Sequence, residues 1–137
     1  MKVKNIIEQN RQQTMSPWIL VIDDDLGTRE ALTEILSRAG YQVSAWADDS
    51  LLSGAGLDHL YQVAVVDYHL PSVDGLEVAS RLRSLQPDCR VILTSSELPG
   101  DSELSPFEGV VDRFLAKPFA KDVLLEVVAQ LCHPETR

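Results

Sequence analysis

Three acidic residues in a row, Asp23, Asp24 and Asp25, follow the apolar run WILVI. Adjacent carboxylates repel one another, so such a cluster is either a solvated turn or the meeting place of a cation. Further along, Asp67 ends a second apolar run, VAVVD. Ser95 closes a third, RVILTS, with Ser96 next to it, and Lys117 follows a fourth, RFLA. Carboxylates, hydroxyls and one ammonium are the donor types that suit a hard divalent cation together with a phosphoryl group. Mg²⁺ takes oxygen ligands and keeps several waters. Lysine offers a compact charge for a phosphate oxygen. A carboxylate held in such a site can itself be a nucleophile and form an aspartyl phosphate.

These groups act together only if one scaffold brings them to one place. The apolar runs are short and continuous, as expected of parallel strands buried on both faces. Between them lie segments with apolar residues at helical spacing. Ala31, Leu32, Ile35, Leu36 and Ala39 form one such face, and Leu76, Ala79, Leu82 and Leu85 a second. Val123, Leu124, Val127, Val128 and Leu131 form a third. YQVSAW reads as a further strand. DDSLLSGAGLDHL reads as a weak helix, weakened further by Gly54 and Gly56. Strand–helix alternation predicts an α/β, doubly wound, five-stranded parallel sheet with right-handed crossovers. Ligands of such sheets sit beyond the carboxyl ends of the strands, where strand order reverses. Every group named above falls at a strand's carboxyl end.

Composition limits the alternatives. The chain has 137 residues, 12 Lys plus Arg against 21 Asp plus Glu, and a formal net charge of -9. That length suggests one domain. With no basic stripe, direct nucleic-acid binding is not expected. Cys89 and Cys132 lack metal or redox spacing, and no apolar run is long enough to span a bilayer. The start, MKVKNIIEQNRQQ, is too polar for a signal peptide, so a cytoplasmic protein without membrane attachment is expected. Residues 1–16 read as an N-terminal leader, 17–133 as the domain and 134–137 as a tail.

The pieces LVIDDD, VAVVDYHLPSVDGLEV, VILTSSE and FLAKPF, in this order, resemble the receiver domain of two-component response regulators. The resemblance covers roughly residues 17 to 133, and the spacings from Asp67 to Ser95 and from Ser95 to Lys117 agree with it. It implies a flavodoxin-like fold and a phosphorelay function. Asp67 would be the phosphoacceptor, served by a histidine kinase or a histidine phosphotransfer protein. Asp23 and Asp24 would hold Mg²⁺, with Mn²⁺ as a substitute, alongside Asp67 and the backbone carbonyl of His69. Ser95 would bond the phosphoryl group, Ser96 would leave it room, and Lys117 would contact a phosphoryl oxygen. Phe114 occupies the aromatic switch position, where the missing hydroxyl leaves any inward state to packing alone. Asp25 is left over and reads as a helix-start residue, favoured there by exposed amides. A downstream protein or output domain would read the switch, and the family also forms homodimers. An enzyme acting on an external substrate is not expected.

The chain departs from the family between Ser96 and Arg113. In ELPGDSELSPFEGVVD, Pro99, Gly100, Pro106 and Gly109 interrupt the place of a regular fourth helix. A short or irregular fourth helix follows, with Leu104 or Phe107 as its anchor and Asp101 to Leu104 as the candidate turn. Two rival readings stand beside this one. A haloacid-dehalogenase-like phosphatase would use Asp23 and Asp25 with Mg²⁺, but Gly27 stands where its threonine belongs. A receiver-like binding module that takes no phosphate would not need the complete set of groups. A P-loop is absent.

Overall fold

The structure is a computed structural model and describes residues 16–53, 57–97, 100 and 105–132. The bulk of the expected leader, the Asp101 to Leu104 turn, Leu104, His133 and the tail lie outside these residues.

Five strands form one parallel sheet: β1 (Trp18–Ile22), β2 (Gln42–Trp46), β3 (Tyr61–Asp67), β4 (Arg90–Ser95) and β5 (Arg113–Ala116). Their order is β2-β1-β3-β4-β5, so chain order reverses between β1 and β3. Three helices are described: α1 (Leu26–Arg38), α2 (Gly75–Leu85) and α3 (Lys121–Cys132). This is the doubly wound arrangement that the alternation of runs predicts.

The sheet separates two cores. Ile19, Val21, Val63, Val65, Ile92 and Leu115 face Leu32 and Leu36 of α1 and Leu124 and Val128 of α3. The alternate residues Leu20, Ile22, Ala64, Val66, Val91 and Leu93 face Val78, Ala79 and Leu82 of α2. Period-two alternation along each strand does this sorting. Burying each Val, Leu or Ile among them contributes roughly 1.5–3 kcal/mol. The helix faces are narrower than the spacing suggests. Ala31 and Ala39 are exposed. Leu85 and Val123, expected inward, are 52% and 44% exposed. Leu85 is the last residue of α2, and Val123 lies beside Leu124, the residue of that turn that faces the sheet.

Where a weak helix was expected after β2, the described residues show a 3-10 turn, Ser50–Leu52, which buries Leu51 and Leu52. In place of the fourth helix the described residues show another 3-10 turn, Ser105–Phe107. Ser105 begins it although Pro106 follows. The proline needs no amide donor in a first turn. Phe107 is buried and joins the α2 side of the core, which bears out the expected anchor.

One glycine is required by close approach. A Cβ on Gly75 would stand 2.6 Å from the Asp67 carbonyl oxygen, 2.7 Å from Tyr68 Cα and 2.8 Å from Leu93 Cδ1. Two of these are backbone atoms held in the sheet edge. Gly75→Ala is therefore expected to lower stability by about 1–3 kcal/mol, the usual cost of overpacking. Thermal unfolding checks this; a Tm equal to that of the parent would contradict the contact.

Candidate functional site

Asp23 follows β1 and Asp67 ends β3, the two strands that flank the reversal of strand order. Ile22 pairs with Val66, which puts the two aspartates side by side at one sheet edge. Asp67 pairs with Thr94, and Ser95 with Ala116, so Ser95 and Lys117 reach the same edge from β4 and β5. The Lys117 amide donates to the Ser95 carbonyl at 2.8 Å.

The side chains converge on one ammonium. Lys117 Nζ donates to Asp23 Oδ2 at 2.9 Å and lies 3.4 Å from Asp67 Oδ2. Asp23 is 1% exposed and Asp67 6%, whereas Asp24 faces solvent. Burial holds the Asp67 carboxyl above its usual range. The amide of His69 and the Lys117 charge pull it down, the Asp23 charge pushes it up, and the net direction is up. For Lys117, burial works to lower the pKa, but the hydrogen bond and charge of Asp23, joined by Asp67, raise it overall. The pair is an ion pair in which the lysine stays charged.

The acidic turn is fixed from several sides. Asp23 Oδ1 accepts the Asp25 amide at 2.9 Å, and the Asp23 carbonyl accepts Arg29 Nη1 at 2.8 Å. Asp25 is the N-cap of α1 and accepts from Thr28 N at 2.8 Å and Thr28 Oγ1 at 2.7 Å. Those hydrogen bonds, the side-chain one first, hold its carboxyl below the usual range. Asp25 is thus the helix-start residue expected, and its carboxylate is committed away from the site. This removes the Asp23–Asp25 pair that a phosphatase reading needs. Arg29 went unnoticed in the sequence; it stands in the first turn of α1, one turn from the acids it anchors.

Among the described residues, carboxylate oxygens of Asp23, Asp24 and Asp67 lie within 4.8 Å of one another. Three hard oxygen donors at that spacing fit a divalent cation such as Mg²⁺. The His69 amide donates to Asp67 Oδ1 at 3.2 Å. Ser95 is buried, and its hydroxyl donates to the Glu97 carbonyl at 2.7 Å and accepts the Glu97 amide at 3.1 Å. It is therefore engaged with its own loop. Ser96 is exposed and borders a groove with Lys117, Pro118 and Thr28. Phe114 is not at the carboxylates. It is half-buried on the α2 side of the sheet, edge-on to Phe107 at 5.2 Å between ring centroids.

The sequence profile of the response regulator receiver domain matches residues 19–129. The chain belongs to that family. Curated receiver-containing relatives include the transcriptional regulatory protein PrrA of Mycobacterium tuberculosis, 30% identical over 116 residues, covering 85% of this chain and 48% of that one. The response regulator MprA of Mycobacterium ulcerans is 34% identical over 118 residues, covering 81% and 48%. The chain thus spans about half the length of these relatives. Among solved receiver structures, TrrA of Thermotoga maritima in complex with Mg²⁺-BeF is 30% identical, with a TM-score of 0.69 over 84% of this chain and 98% of that one. The BeF3-activated DrrB receiver domain is 27% identical, with a TM-score of 0.73 over 83% and 95%. The receiver fold is therefore shared with these structures.

The raised Asp67 pKa has a consequence for stability in the receiver without metal. Its charged form costs folding free energy above the folded pKa, and the cost vanishes below the unfolded pKa, where both states are protonated. Asp67→Asn keeps an oxygen for the His69 amide and removes the charge. In chelator-treated protein it is expected to raise Tm at pH 7.5, with the gain shrinking toward zero near pH 4. Melting curves across that range check the sign; a gain that grows on acidification would refute it.

Proposed function

We propose that Asp67 is the phosphoacceptor of this receiver domain, that residues 17–133 form the working unit, and that phosphorylation changes a surface read by a downstream partner. The observation that carries this reading is the contact of one ammonium, Lys117, with both Asp23 and Asp67 beside the exposed Asp24. Asp23, Asp24 and Asp67, with the His69 backbone carbonyl, would hold Mg²⁺ or Mn²⁺. When bound, the cation supplies neutralisation of charge on the transferring phosphoryl group.

The donor is a phosphohistidine of a histidine kinase or histidine phosphotransfer protein. A carboxylate oxygen of Asp67 attacks phosphorus in line. The P–N bond breaks, and the imidazole nitrogen keeps its electron pair. Lys117 exchanges its contact with Asp67 for a phosphoryl oxygen. Ser95 gives up its hydroxyl contact with the Glu97 carbonyl and donates to another phosphoryl oxygen. Exposed Ser96 leaves room for the group to enter. Moving Ser95 shifts the loop after β4, and Phe114, which has no hydroxyl to bond there, follows by packing alone. We read the protein as cytoplasmic, without direct nucleic-acid contact by this domain and without turnover of an external substrate. No helix among the described residues is long and apolar enough to cross a membrane. A homodimer is compatible with this reading.

Two experiments test it. Asp67→Asn should abolish labelling by radiolabelled acetyl phosphate while circular dichroism stays unchanged; full stoichiometric labelling would move the phosphoacceptor elsewhere. Mg²⁺ should raise Tm, by about 2.7 kcal/mol of stability at a hundredfold excess over Kd. Asp24→Asn should remove most of that rise, and an undiminished rise would place the ligand outside the acidic trio.

A further inference from the structure

Phe107 lies in the segment that replaces the fourth helix, yet it is tied to the site. It is 8% exposed, while Ser105, Pro106, Glu108 and Gly109 around it are exposed. Its backbone carbonyl accepts the amides of Val110 at 3.1 Å and Val111 at 2.9 Å. Gly109, at φ +77°, supplies the left-handed residue that closes this turn. The ring is thus presented by a closed loop.

That ring meets two others. Phe114 lies 5.2 Å away at 83°, and Tyr68 lies 6.1 Å away at 61°. Tyr68 in turn is 4.9 Å from the His69 ring at 69°. These are edge-to-face separations at which aromatic pairs attract beyond simple burial. Tyr68 immediately follows Asp67. Its amide donates to the Thr94 carbonyl at 2.8 Å, and its carbonyl accepts the Gly75 amide at 2.8 Å. The backbone of Tyr68 is therefore pinned on both sides. The next link, His69 N to Asp67 Oδ1, is longer at 3.2 Å, near the outer limit for a good amide bond. It is the contact most open to adjustment by the rings packed beside it.

We infer that Phe107 and Tyr68 form an aromatic buttress that positions the loop after Asp67, so that the irregular segment at 105–111 sets how well the site binds its cation. Both are positioning residues: neither touches the cation, and each acts through His69. The inference rests on the proposed metal site. By linkage, a cation that tightens the Asp67–His69 loop must also tighten the packing of Phe107 to the same degree. The 105–111 segment and the proposed phosphorylation site are then coupled without a hydroxyl on Phe114.

The test is calorimetric titration of the full chain with Mg²⁺ alone. Losing one ring contact is expected to weaken Mg²⁺ binding roughly three- to tenfold, the size of an aromatic pair. Phe107→Leu keeps most of the buried volume, and Tyr68→Leu alters a half-buried residue, so the second remains informative if the first folds poorly. If Phe107 acts through Tyr68, the double variant should bind no worse than Tyr68→Leu alone. Val128→Ala, on the opposite face of the sheet, should lower Tm and leave Mg²⁺ affinity unchanged. Single variants within twofold of the parent, or a double variant showing the full product of the single losses, would overturn the buttress. If Asp24→Asn leaves Mg²⁺ binding of the parent untouched, the metal-site reading fails first and takes this inference with it.

Discussion

Two carboxylates, Asp23 and Asp67, are almost removed from solvent at neighbouring strand ends, and a single ammonium stands against both of them. Buried anions at that spacing repel each other and resist ionisation. Without the lysine, the sheet edge would carry two unpaired buried charges, among the costliest features a small domain can hold. The Lys117–Asp23–Asp67 contact thus lets the edge be acidic at all. It draws β1, β3 and the residue after β5 into one place, and it keeps the carboxylates ready for a cation.

The topology makes that contact available. Reversal of strand order between β1 and β3 leaves their carboxyl ends uncovered, with helices leaving to opposite faces. α1 starts directly after the acidic turn because Asp25 caps it, and Arg29 from its first turn clamps the Asp23 carbonyl. α2 starts against the loop after Asp67 because Gly75 has no side chain to hold it off. Asp23 and Asp67 are thus placed by the start of a helix as much as by the end of a strand.

Much of this was legible in the residues. The apolar runs gave the strands because a parallel strand covered on both faces has no polar positions to blur it. Asp23, Asp24, Asp67 and Lys117 stood out because charge directly after such a run has few structural reasons to be there. The helix faces were overdrawn at Leu85 and Val123, since periodicity does not reveal where a neighbouring surface ends. Arg29, Gly75 and the ring contacts of Tyr68 and Phe107 were not visible, because they depend on distances between segments far apart in the chain. The same holds for His59, which stacks on Trp18 with ring centroids 3.6 Å apart and planes 9° from parallel, a pairing set by the Trp18–Tyr61 register.

The sheet is also a partition. The residues packed with α1 and α3 and those packed with α2 and Phe107 form separate sets that share strands but no side chains. A change of volume on one side meets the other only through backbone that is hydrogen-bonded on both edges. Such a wall makes the two sides separate packing problems: a side chain enlarged behind Phe107 has to be accommodated by α2 and its loops, and one enlarged under α1 and α3 by those helices alone.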